Sequence, residues 1–210
     1  MTTLEYALLA FSSLFVIVDP IAVIPSFLAI TPHDTPAQRE RMARLASLVM
    51  AGVLLTFALS GQLIFKLLGI TLPAFQIAGS IILLLVALDM LRAQRSRVQA
   101  TPEEEEAGAH KVDVAVTPLA IPMLSGPGAI STVVLLRGQA EGVTKIAALC
   151  ACIVGVCAAS YVILRLSARG AQRLNPIAMK ITTRIMGLLL AAVACQFMIN
   201  ALRDLGVVPK

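Results

Sequence analysis

The chain has 210 residues, 58 % of them hydrophobic and 14 % charged, and its mean hydropathy of +0.88 excludes an ordinary soluble domain. A formal net charge of +5 would point to nucleic acid in a soluble protein, but here the basic residues sort by loop, which membrane insertion explains better. An integral protein of the lipid bilayer is expected, with no nucleic-acid partner.

Apolar runs cover residues 4–30, 42–68, 72–91, 114–136, 146–166 and 181–202, each at or above the ~20 residues a helix needs to cross the hydrocarbon. Spanning strands would alternate lipid-facing and lumen-facing residues, which these runs do not. The expected fold is therefore an all-α membrane protein with six transmembrane helices. The first run carries Glu5 where a signal peptide would be basic and far exceeds a ~7–15-residue signal core, so it is expected to be retained. With loops assigned alternately, the side holding both termini has five basic residues and the other side twelve. The positive-inside rule then puts both termini outside.

Span one, at 27 residues, would measure about 40 Å as one straight helix, against a core of about 30 Å. Within Asp19-Pro20-Ile21-Ala22-Val23-Ile24-Pro25-Ser26, Pro20 removes a backbone donor and clashes with the carbonyl four residues back. Asp19, preceding a proline, is pushed out of helical dihedrals, so the break is expected there. Thr35 before Pro36 reads as the N-cap of span two, and His33 in the polar loop before it reads as solvated. Span three carries Gln76-Ile77-Ala78-Gly79-Ser80 and places Asp89 near Arg92 and Arg95, the pattern of an interfacial ion pair.

Residues 93–113 hold Glu103-Glu104-Glu105-Glu106 and read as a solvated cytoplasmic linker between a first three-helix repeat at 1–92 and a second at 114–210. Span four gathers Pro118, Pro122 and Pro127 with Ser125, Gly126 and Gly128, so no unbroken helix fits. Irregular backbone at that depth requires protein or a water-filled cavity to satisfy it. The four cysteines, Cys150, Cys152, Cys157 and Cys195, fall in spans five and six and read as small apolar side chains. No metal ligand set, resident cofactor or catalytic residue is expected. Gln196 and Asn200 of span six either face a cavity or bond to neighbouring helices.

The halves repeat. At an offset of 107, Asp19-Pro20-Ile21-Ala22 falls on Gly126-Pro127-Gly128-Ala129, and at 108 Gln76-Ile77-Ala78-Gly79 falls on Arg184-Ile185-Met186-Gly187. Three spans per repeat is an odd number, so the second repeat is inserted upside down, and broken segments at equivalent positions of inverted repeats point to a midplane binding site. Proline at the first position of each half-helix makes Asp19 and Gly126 the N-caps. Glycine brings no acceptor, so the helix end at Gly128, Ala129 and Ile130 is free to hold a carboxylate. Asp19 already supplies negative charge and has a spare oxygen for an ammonium, Na+ or a proton. A small zwitterion fits between them.

Asp19-Pro20 with Ile24-Pro25-Ser26-Phe27, Pro118-Leu119-Ala120-Ile121-Pro122 leading to Gly126-Pro127, and Arg184-Ile185-Met186-Gly187 with Gln196-Phe197 and Asn200-Ala201 together resemble the MarC family. Its members include SnatA-like transporters of small neutral amino acids. The resemblance implies a six-helix protein of the prokaryotic plasma (inner) membrane that carries glycine- or alanine-like substrates and couples them to a cation, Na+ or H+. The family accommodates Asn as well as Asp at the position of Asp19. Substrate binding is expected at Asp19, Pro20, Ser26, Gly126, Gly128, Ala129, Ser131 and Thr132, with Gln76 and Arg184 lining or gating the cavity. Two rivals are a non-transporting membrane scaffold and an intramembrane thiol oxidoreductase. The latter needs cysteines at the broken segments, which have none.

Overall fold

The broken and unbroken apolar runs all become helices. The computed structural model describes residues 2–31, 34–92, 115–170 and 176–207, and every element among them is helical. His33, the linker at 93–113 and the stretch 171–175 lie outside the described residues. In chain order the helices are α1 (Thr3–Val18), α2 (Pro20–Ile30), α3 (Pro36–Leu68), α4 (Leu72–Arg92), α5 (Ala115–Leu124), α6 (Pro127–Gln139), α7 (Gly142–Gly170) and α8 (Pro176–Asp204).

Local chemistry sets several ends. Thr2 and Glu5 form a capping box on α1, with the Glu5 N–H on Thr2 Oγ1 at 3.2 Å and the Thr2 N–H on Glu5 Oε2 at 2.9 Å. Thr35 does the same for α3 with Gln38. Gly69, at φ 63°, ends α3 in the left-handed conformation that glycine adopts without penalty.

Among the described residues five stretches are long and apolar enough to cross a membrane: Thr3–Leu28, Pro36–Leu68, Leu72–Arg92, Gly142–Ala168 and Arg184–Asp204. The expected fourth span is not among them. It is built as two short pieces, α5 with 10 residues and α6 with 13, because the chain leaves helical geometry at Ser125 and Gly126. α5 is π-helical, and both the N–H and the hydroxyl of Ser125 bond to the carbonyl five residues back, Ala120, at 2.8 and 2.7 Å. The prolines at 118 and 122 withhold N–H groups from an ordinary α ladder.

Burial does not sort residues by polarity as it does in a soluble protein. Tyr6, Ala10, Leu14 and Val18 form a buried stripe on α1 at every fourth residue, and Met42, Ala46, Met50, Leu54 and Ala58 do so on α3. The outward faces are apolar too, with Leu4, Leu8, Leu48, Leu59 and Leu63 exposed, as lipid contact requires. Since lipid tails are as apolar as leucine, close backbone approach matters more than burial for holding such helices together. The most extensive contact joins α4 to α8, and the next joins α3 to α7. A Cβ on Gly187 would lie 2.9 Å from the Ala87 carbonyl and 3.0 Å from the Leu91 nitrogen, so glycine lets α8 meet the α4 backbone directly. At one end of α3 and α7, Arg165 pairs with Glu40 at 2.7 Å and Tyr161 donates to the same carboxylate at 3.3 Å.

Candidate functional site

Two helix starts lie inside the apolar part of the chain, and they are capped differently. Asp19 ends α1 and begins α2 at once. Its N–H donates to the Phe15 carbonyl at 3.0 Å, and its Oδ1 accepts the Ala22 N–H at 3.2 Å. Its backbone is left-handed, with φ 41° and ψ 64°, the one positive φ outside glycine among the described residues. Aspartate tolerates that region because its short polar side chain bonds locally, and Pro20 at the first helical position forfeits no bond. Asp19 is exposed, and its second carboxylate oxygen has no partner among the described residues.

The start of α6 is bare. Gly126 is extended and supplies no side-chain acceptor. The Ile130 N–H turns back to the Gly126 carbonyl at 3.0 Å, so Gly128 and Ala129 carry the free donors, one fewer than the three the sequence led us to expect. This end is also buried: Gly126, Pro127, Gly128, Ala129 and Ile130 all fall in the interior. α4 and α8 close on it. A Cβ on Gly79 of α4 would fall 2.5 Å from Pro127 Cγ, and one on Gly128 would fall 2.5 Å from Phe197 Cζ of α8. Cα–Cβ bonds tilt toward a helix N-terminus, so the Phe197 ring stands at the rim of the uncapped turn.

The two starts lie level. α1 touches α6, and α2 touches α5, which is the pairing of two antiparallel broken segments. Tyr6 fixes the register by donating its buried hydroxyl to the Leu136 carbonyl at 2.9 Å. Tyr6 precedes Asp19 by 13 residues and Leu136 follows Gly126 by 10, about 20 and 15 Å of helix respectively, so the two breaks lie on the same side of that bond and at similar depth.

The helices that carry or flank them hold buried polar atoms without partners among the described residues. Elsewhere in this chain helical hydroxyls bond to the carbonyl four residues back, as Ser12, Thr56, Ser60 and Ser160 do. Ser26 and Ser131, 1 % and 2 % exposed, do not, and neither does Ser47 of α3. Gln76, one turn before Gly79 on α4, buries Oε1 without a partner. At about 1–3 kcal/mol for each unsatisfied buried group, these atoms and the two free N–H donors together would rival the entire stability of a domain, about 5–15 kcal/mol. A water or polar ligand reaching them would offset that cost.

Of the residues singled out in sequence, Pro20 is buried, Thr132 is half-buried and Arg184 is exposed. Arg184 stands 13 residues from Phe197, about 20 Å along α8, and so does not join the broken segments. Gln196 and Asn200 are exposed and bond to each other at 2.8 Å. Sequence reading missed Phe197, because a lone phenylalanine in an apolar helix carries no signal of what it faces. The four cysteines are free and lie on α7 and α8.

Residues 4–205 match the family model described as MarC family integral membrane protein. The chain is 38 % identical to the UPF0056 membrane protein YvbG of Bacillus subtilis over 88 % of both chains. It is 35 % identical to UPF0056 membrane protein MJ1677 of Methanocaldococcus jannaschii, covering 95 % of this chain and 97 % of that one. With UPF0056 membrane protein YhcE of Escherichia coli the identity is 28 %, over 93 % and 91 %. No solved structure is matched by the chain. With a match across nearly its whole length and relatives in bacteria and archaea, this chain belongs to the MarC family of integral membrane proteins.

Proposed function

We propose that the protein is a secondary transporter and not an enzyme. It carries small neutral amino acids of the glycine and alanine kind across a prokaryotic plasma membrane, coupled to Na+ or H+, with both termini outside. The observation that carries this reading is the unlike capping of two helix starts at similar depth: α2 begins at the Asp19 carboxylate, and α6 begins with bare, buried N–H groups. A substrate carboxylate is attracted to the free donors of Gly128 and Ala129 and to the positive end of the α6 dipole. Its ammonium, or the coupling cation, is attracted to the spare oxygen of Asp19. The hydroxyls of Ser26 and Ser131 and the amide of Gln76 supply the remaining polar contacts. Pro20 and Gly126 shape the two turns, and Thr132 borders the second.

Six crossings in two inverted repeats agree with how the helices meet. Exchanging the halves maps the pairs α4 with α8 and α3 with α7 onto themselves. It also exchanges α1 and α2 against α7 with α5 and α6 against α3, and α2 against α8 with α6 against α4. α5 and α6 then cross together as one broken span.

The test is uptake into proteoliposomes of radiolabelled glycine and alanine under an imposed Na+ or proton gradient. Accumulation that collapses with the gradient is expected. Equal label in protein-containing and empty vesicles for every neutral amino acid would refute the reading.

A further inference from the structure

The Phe197 ring enters none of the steps above, yet it packs tightly against the first turn of α6. Its Cζ, Cε1 and Cε2 lie 2.5, 2.9 and 3.3 Å from the point a Gly128 Cβ would occupy, so the edge of the ring rests on the Gly128 Cα. Because that Cβ direction leans toward the open end of α6, the ring flanks the first turn, beside the two free N–H groups. Phe197 is half-buried, while the Gly128 and Ala129 it borders are buried. α4 closes the other flank, where Gly79 meets the rigid Pro127 ring.

We propose that Phe197 sets the size limit of the substrate: its ring fills the volume into which the side chain of an amino acid seated on the Gly128 and Ala129 N–H groups would project. This rests on the transport reading and names the residue that restricts it to small substrates. A carboxylate held at the α6 terminus puts the substrate Cα against the ring edge. Hydrogen or methyl on that carbon is accommodated, whereas a branched or longer chain meets the ring. The glycine at 128 belongs to the same device, since any larger residue would drive the ring outward and open the space. Each added methyl-sized group in an apolar pocket typically changes discrimination by tenfold or more, enough to separate alanine from leucine.

The experiment compares wild type, Phe197→Ala and Phe197→Leu in proteoliposomes for uptake of glycine, alanine, valine and leucine. The expected result is that Phe197→Ala raises leucine relative to alanine by about tenfold or more, with Phe197→Leu between. Unchanged size ranking in a variant that still carries alanine overturns the inference and leaves the transport reading intact. Failure of the wild type on all four amino acids overturns both. Where Phe197→Ala does not fold, Phe197→Leu decides by the same ranking. Melting of the solubilised protein checks the contact without transport: Gly128→Ala is expected to lower the midpoint in the wild type and to leave it unchanged beside Phe197→Ala. Equal losses in both backgrounds would overturn the contact on which the inference stands.

Discussion

Asp19 serves two helices and holds a left-handed backbone, and substitution can separate its three contributions. Asp19→Ala removes the 3.2 Å cap on the Ala22 N–H, worth about 1 kcal/mol. It also forces an alanine to φ 41°, where a Cβ with no local hydrogen bond costs about 1–2 kcal/mol. The sum, about 2–3 kcal/mol, is a large part of a total near 5–15 kcal/mol. Asp19→Gly loses the same cap but is at ease at positive φ, so it should cost only a few tenths of a kcal/mol at the N-cap. Asp19→Asn keeps both the acceptor oxygen and the tolerance of the left-handed region, and it removes only the charge. Reversible unfolding in mixed detergent micelles should therefore rank the variants wild type and Asn first, then Gly, then Ala. Glycine as damaging as alanine would refute the backbone argument, and asparagine as damaging as alanine would refute the cap. Because Asn preserves the fold, any loss of uptake in that variant reports the charge alone.

Other outcomes follow from single contacts. Tyr6→Phe removes the donor to the Leu136 carbonyl, one of the terminal carbonyls of α6 that has no partner in its own helix. Unfolding should show a loss of about 1–3 kcal/mol, and no loss would sink the register argument. Gly79→Ala drives a Cβ into the Pro127 ring, which cannot rotate away, for about 1–3 kcal/mol of overpacking. Gly52→Ala, with nothing within 4 Å on α3, should instead stabilise by up to about 1 kcal/mol, so a thermal melt of the pair distinguishes a packing glycine from an idle one. Arg39 donates Nε and Nη2 to the Thr31 carbonyl at 3.1 and 2.7 Å and so ties the end of α2 to α3. Arg39→Lys should lose the forked geometry and make the Thr31 region more susceptible to limited proteolysis.

Both breaks were legible because they follow from covalent facts. Proline lacks an N–H and excludes helical dihedrals from its predecessor, so Asp19 and Gly126 are fixed by their neighbours. Thr35 was legible as a cap for the same local reason. The division of the fourth span at Gly126 was therefore expected, whereas the π-helical winding of its first piece, α5, was not. Tertiary choices left no local trace. Tyr6 finds Leu136 130 residues away, Phe197 lands on Gly128 rather than facing outward, and Arg184 sits a long way along α8 from the breaks. In an apolar helix every face reads alike, so which face meets protein and which meets lipid is decided by docking rather than by pattern. Ser26 and Ser131 were picked out by proximity to the breaks. Only the structure distinguishes them from Ser12 and Ser160, whose hydroxyls are satisfied within their own helices.

The central claim is that the bare α6 terminus and the Asp19 carboxylate hold the two charges of one small molecule. Isothermal titration of the solubilised protein with alanine, alanine amide and N-acetylalanine tests it most directly. The amide lacks the carboxylate and the acetyl derivative lacks the ammonium. The account predicts binding of alanine, with both analogues weakened by about tenfold or more, the scale of one lost charged hydrogen bond. An analogue that binds as tightly as alanine would contradict it.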